Sequence, residues 1–209
     1  MRRLAALLAT VLAAAAALAG QASAHGDPAS EYLVDHQAFF PLYEPLPQET
    51  QLKLGALVRE ANARGFPIRI ALIGGKRDLG TEGDAWRKPQ AYANAIDADV
   101  VYYYKGRVLV VMPNGFGLRY PKHSTAAEQA LLAKIAIAPT TAGLAAAATT
   151  AVERLAAAQG ITVAPPEHVT TPAERNRQDR LVILIAVAAL LFAGWLVRRV
   201  RRWRSAATA

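Results

Sequence analysis

Cysteine does not occur anywhere in this 209-residue chain, so no disulfide staples it and no thiolate is on hand as nucleophile or soft metal ligand. An exported domain of this composition must rest on its hydrophobic core. Serine is nearly as scarce between residues 25 and 180, where Ser30 and Ser124 stand alone and neither lies in a Gly-x-Ser-x-Gly elbow. His123 precedes Ser124, but adjacency in sequence does not create a hydrogen-bonded pair in space. No internal repeat is present. The middle of the chain also lacks net charge. The formal +8 includes Arg2, Arg3 and five arginines beyond residue 197, which leaves 17 of the 24 basic residues against 16 acids over residues 25–180. A nearly neutral segment with no basic, aromatic-interleaved patch has no electrostatic drive toward a polyanion, which excludes nucleic acid as a partner.

Long apolar runs, by contrast, stand at both ends. Residues 181–197 carry no charge and are followed at once by Arg198, Arg199, Arg201, Arg202 and Arg204. As a helix these 17 residues rise about 25 Å, slightly less than a hydrocarbon core of about 30 Å, so the flanking arginines must snorkel or the bilayer thin. Trp195 and Trp203 stand where interfacial anchors belong. The basic tail predicts a cytoplasmic C-terminus, with everything before Arg180 outside. At the other end, Arg2 and Arg3 precede an apolar run to Ala19 and the small-residue site Ala22-Ser23-Ala24. That order is a secretory signal with His25 as the mature N-terminus, and an uncleaved anchor forming a two-span hairpin is the alternative. The expected organisation is a signal peptide over 1–24, an extracytoplasmic domain over 25–160 and a stalk over 161–180 containing Pro165, Pro166 and Pro172. A transmembrane helix over 181–197 in the lipid bilayer and a basic cytoplasmic tail over 198–209 follow. This is a single-pass type I protein of the cell membrane.

Within the domain, a helical pattern starts at Pro47, with Leu52, Ala56, Leu57, Val58 and Ala61 toward one face and Gly65 and Pro67 closing it. Residues 68–73 read as an apolar strand, 74–84 as a loop, and 88–96 as a short helix with Pro89 in its first turn. Residues 100–104 and 107–112 read as strands joined by Lys105-Gly106, and Asn114-Gly115 turns into a third strand toward Tyr120. Helices over 125–137 and 141–159 follow, the second rich in alanine. The order predicts an α/β fold, a small layer sandwich with one central sheet and flanking helices.

Several of these stretches together resemble the TPM domain family, exported or lumenal modules often tethered by a C-terminal span. Residues 33–38, Leu-Val-Asp-His-Gln-Ala, are similar to the family's opening V-D-x-x-x-L element. Residues 66–73 occupy the place of its first strand, Tyr92-Ala93-Asn94 resembles its Y-A-N helix, and Gly115-Phe116-Gly117-Leu118 resembles its G-Y-G-L turn. Gly143-Leu144 fits the final helix. The resemblance implies a TPM-like sandwich, and for some members divalent-metal binding and weak phosphatase activity. The chain departs from the family at two places where acids are common, which here are His36 and Arg119.

The resemblance makes Asp35 the residue to carry over as a carboxylate ligand to a hard cation, Ca2+ or Mg2+, with a helix-boundary or turn residue as the plain alternative. Asp78, Glu82 and Asp84 supply oxygens in one loop but lack the spacing of a calcium loop, and Lys76 and Arg77 oppose a cation there. Gly74-Gly75-Lys76-Arg77 after a strand has the composition of a phosphate cradle, because glycine lets backbone N–H groups converge on an anion. It is not a P-loop, since no Gly-Lys-Ser/Thr follows. The turn from Gly115 to Leu118 reads either as hairpin geometry or as close approach to a ligand. His25 could bind copper through its amine and imidazole, but no second ligand is identified. Tyr102, Tyr103 and Tyr104 read as sheet packing.

Two functions follow from these residues. One is a noncatalytic, tethered module that binds or organises an envelope protein partner. The other is a divalent-metal-dependent phosphatase built on Asp35 and the Gly74 and Gly115 loops. Surface proteolysis of intact cells should remove the globular domain and spare an epitope placed after Ala209. A protected domain would overturn the predicted topology.

Overall fold

A computed structural model describes residues 26–169. The expected signal peptide, His25, residues 170–180 of the stalk, the span over 181–197 and the basic tail lie outside the described residues. Among the described residues no helix is long and apolar enough to cross a membrane.

The domain begins with helix α1, Pro28–Asp35. Asp27 caps it, accepting from the Ser30 N–H at 3.0 Å, and Pro28 occupies the first turn, where a missing N–H costs nothing. A two-residue strand β1, Ala38–Phe39, leads to helix α2, Gln48–Ala63, and then to strand β2, Ile68–Leu72. Gly65, at φ 87°, ends the helix in the left-handed region as its sequence position predicts. The buried stripe of α2 is Leu54, Leu57, Val58 and Ala61, while Leu52 lies to its side.

Residues 74–84, expected as a loop, form 3-10 turns over Lys76–Ala85, interrupted at Gly80 with φ 54°. Helix α3, Pro89–Val100, is a turn longer than expected and contradicts the strand read over residues 100–104. The stripe Tyr92, Ala93, Ile96 and Val100 keeps helical spacing to its end and packs in the core. This tertiary demand overrides the β-propensity of Val100, Val101 and the tyrosines. Tyr102 and Tyr103 are therefore 85% and 72% exposed in a turn, and only Tyr104 packs inward.

Strand β3, Arg107–Met112, and strand β4, Gly115–Arg119, form the expected hairpin, with Met112 paired to Gly115 across Pro113-Asn114. Helix α4, Ala126–Leu132, is shorter than expected, and helix α5, Thr141–Ala157, matches the alanine-rich segment. The sheet runs β1-β2-β3-β4, the first three strands parallel and β4 antiparallel. Side chains alternate across it. Ile68, Ile70, Leu72, Leu109 and Val111 face α2 and α5. Ala71, Ile73, Val108, Val110 and Met112 face α1 and α3. The domain is thus an α/β structure with one mixed four-stranded sheet between helical layers.

Gly117 fixes how closely one layer approaches. A Cβ there would stand 2.0 Å from the Pro89 carbonyl oxygen, so only glycine lets the start of α3 lie on β4. Leu72, fully buried and paired with Val111, tests the core. Leu72→Asp should lower unfolding free energy by about 3 kcal/mol or more, measured by urea denaturation, because the charge has no partner in that layer.

Candidate functional site

The C-terminal end of β2 runs directly into Gly74, Gly75, Lys76 and Arg77. The N–H groups of Gly74 and Gly75 do converge on an anion, and the anion is the protein's own. Both donate to Asp78 Oδ2, at 3.0 and 2.9 Å. Asp78 Oδ1 accepts from the Leu42 N–H at 2.9 Å and more weakly from the Tyr43 N–H at 3.4 Å. Asp78 is 1% exposed. Four main-chain donors on one internal carboxylate replace its hydration and join two loops far apart in sequence. Lys76 and Arg77 are exposed, with the Arg77 guanidinium 5.2 Å from the Tyr43 ring centre. Glu82 and Asp84 are exposed, whereas Asp78 turns inward, so the three carboxylates of this segment do not converge.

Asp35 ends α1 and is exposed. It lines a cleft of about 400 Å³ in which no other carboxylate takes part. His36, which follows it, stacks on Tyr32 with ring centres 4.0 Å apart and places Nδ1 3.2 Å from the Tyr32 carbonyl oxygen. Arg69 lies on the neighbouring strand β2. Its guanidinium donates to the Leu33 carbonyl and lies 4.1 Å from the centre of the Tyr104 ring. Burial lowers the Arg69 pKa, an effect that Tyr104 and Asp35 oppose. Among the described residues no three His, Cys, Asp or Glu side chains gather as a metal site.

Arg119, the other departure from the family pattern, forms an ion pair with Asp97. Its Nε donates to Asp97 Oδ2 at 3.1 Å. Burial raises the Asp97 pKa and the Arg119 charge pulls it back. Arg107, at the start of β3, donates through Nε to Glu128 Oε1 at 2.7 Å, and both side chains are under one-tenth exposed. The Arg107 guanidinium lies between the rings of Phe66 and Tyr120, 4.3 Å from each centre. His123 stacks on Tyr120, and Ser30 Oγ donates to Asp27 at 2.7 Å. Tyr92 also donates to Asp27, and burial, with that carboxylate next, pushes its phenol pKa upward.

The segment Gly115, Phe116, Gly117 and Leu118 divides by role. Gly117 serves helix packing, Leu118 is buried, and Gly115 at φ 151° serves the hairpin. Gly115 and Phe116 also line an open cleft of about 470 Å³ with Leu132, Ile135 and Ile137. No side chain in its lining is ionisable.

Three groups that organise the domain were missed in the sequence: Asp27, the Asp97–Arg119 pair and the Arg107–Glu128 pair. Asp27-Pro28 before Ser30 is a helix-start signal that could have been read. The two ion pairs join residues 22 and 21 positions apart, which no local spacing reveals. The chain matches no protein-family model, no curated protein and no solved structure.

Asp78→Asn would turn an amide NH2 toward backbone N–H donors. The expected loss is about 2 kcal/mol of stability, read as a lower denaturation midpoint at unchanged slope. An unchanged midpoint would show that this carboxylate does not hold the two loops.

Proposed function

We propose that the chain is a single-pass, membrane-anchored protein whose extracytoplasmic, TPM-like domain binds or organises another envelope component without catalysing a reaction. The observation that carries this reading is the 470 Å³ cleft beside the Gly115–Leu118 segment, lined by Phe116, Leu132, Ile135 and Ile137 and by no acid, base or nucleophile. Such a surface takes an apolar side chain against these residues, with the Asn114 and Gln129 amides beside them, and offers no ionisable group for proton transfer. The flanking sequence supports the location, because a signal-like start and an arginine-terminated apolar run are the pattern of an outward-facing, tethered domain.

The phosphatase alternative would need several oxygens around one cation. Asp35 meets no second carboxylate in its cleft, and the glycine N–H groups that would cradle phosphate already hold Asp78. These placements favour the binding module.

A photocrosslinker introduced at Phe116 of the full-length protein should capture another envelope polypeptide in intact cells. Ile135→Glu, which puts a charge into the same cleft, should reduce that product at least about tenfold. Absence of a polypeptide adduct at Phe116, or adducts indifferent to Ile135→Glu, would overturn the assignment of the cleft.

A further inference from the structure

The cleft that Asp35 lines runs beside a sheet edge. One wall is the end of α1, with Tyr32, Asp35 and His36, and the other is α2, with Leu52, Gly55 and Arg59. Between them lies β1, the outermost strand. In a parallel pair, alternate residues turn their main-chain groups to the neighbouring strand. Since the Gln37 carbonyl accepts from the Ile70 N–H at 2.9 Å, the N–H and C=O of Ala38 point away from β2. They have no hydrogen-bond partner among the described residues.

Gly55 is the second observation. Glycine inside a helix weakens it relative to alanine, and is kept where something needs the space. No described residue needs it here: a Cβ at Gly55 would meet nothing closer than the Arg59 guanidinium, at 3.4 Å, the far end of a flexible side chain. The space lies on the groove wall. Arg59 has no carboxylate partner among the described residues, and Gln37 Oε1, beside it in the groove, is buried without a hydrogen-bond partner.

We propose that this groove binds an extended peptide of a partner protein by strand addition to β1. The peptide main chain pairs with Ala38, one of its side chains fills the space over Gly55 and Leu52, and an acidic residue meets Arg59. A basic residue on the opposite side of the peptide meets Asp35. A single extended chain is the occupant that fits, because β1 is two residues long and stands between two helical walls. A second copy would have to bring its own α1 and α2 into the same gap.

The test uses the full chain in detergent micelles, panned against displayed random heptapeptides. Enriched peptides should share an acidic position, and N-methylation of alternate amides should weaken them at least tenfold. Gly55→Leu should abolish binding. Gly55→Ala should leave the melting temperature equal to or above that of the wild type, because the added methyl would meet only the movable end of Arg59, which covers this buried glycine. Arg59→Glu, at the exposed rim, should switch the selected position from acidic to basic. Failure to enrich any peptide, or enriched binding that survives both Gly55→Leu and Arg59→Glu, would overturn the groove. So would peptide competition with self-association of the chain, which would make a second copy the occupant. Ile135→Glu, in the other cleft, should leave peptide affinity unchanged, and a chain that crosslinks through Phe116 yet enriches no peptide would sink this proposal alone.

Discussion

Strand β3 supplies both cores. Its six residues are all buried, with Leu109 and Val111 serving one helical layer and Val108, Val110 and Met112 the other. Removing water from both faces of one strand stabilises the two layers at once, and β2 and β4 are positioned by their register with β3. A slip of one residue would exchange the two faces and place Arg107 out of reach of Glu128. The ion pair at the strand's start thus adds a positional constraint to an interaction that is otherwise nondirectional. The rings of Phe66 and Tyr120, each 4.3 Å away, hold the planar guanidinium in orientation.

Electrostatics in the domain is mostly internal. Asp27, Asp78, Asp97 and Glu128 are all buried, and each is held by hydrogen bonds from main chain, phenol, hydroxyl or arginine. These carboxylates bridge segments that the apolar layers leave unspecified: the start of α1 to α3, the Leu42 loop to the end of β2, α3 to β4, and α4 to β3. In a chain without cysteine, such bridges fix loop geometry where small secreted folds would use disulfides. The exposed charges of Lys76 and Arg77 contribute little to this, since solvent screens them.

Sequence patterning revealed most of the layer structure, because the hydrophobic stripe of α2, the apolar run of β2 and the β3–β4 hairpin are local signals. Where it failed, two signals competed. Val100 and Val101 favour a strand by propensity, but Val100 completes a helical stripe that begins at Tyr92, and burial decided the matter. Residues 33–38 were read as an opening motif, and they straddle the end of a capped helix and the start of a two-residue strand too short for any periodicity to show. Of the candidate site, the convergence of the Gly74 and Gly75 amides was legible from glycine alone, but the identity of what they hold was not, since Asp78 was read only with Glu82 and Asp84 as one of three carboxylates in a loop. The apolar cleft at Phe116 was invisible, because it depends on Ile135 and Ile137 returning to the hairpin after α4.

The last described stretch carries a mechanical meaning. Val163 is buried against the core that α2 and α5 share, six residues before the described residues end, while Asp27, near their beginning, is bound to α3 on the opposite face of the sheet. A pull transmitted along the chain beyond residue 169 therefore enters the domain through Val163 and the α5 layer, without loading the α1 layer directly. A force applied at residue 169 would thus reach the two faces of the sheet unequally, the α2–α5 face first.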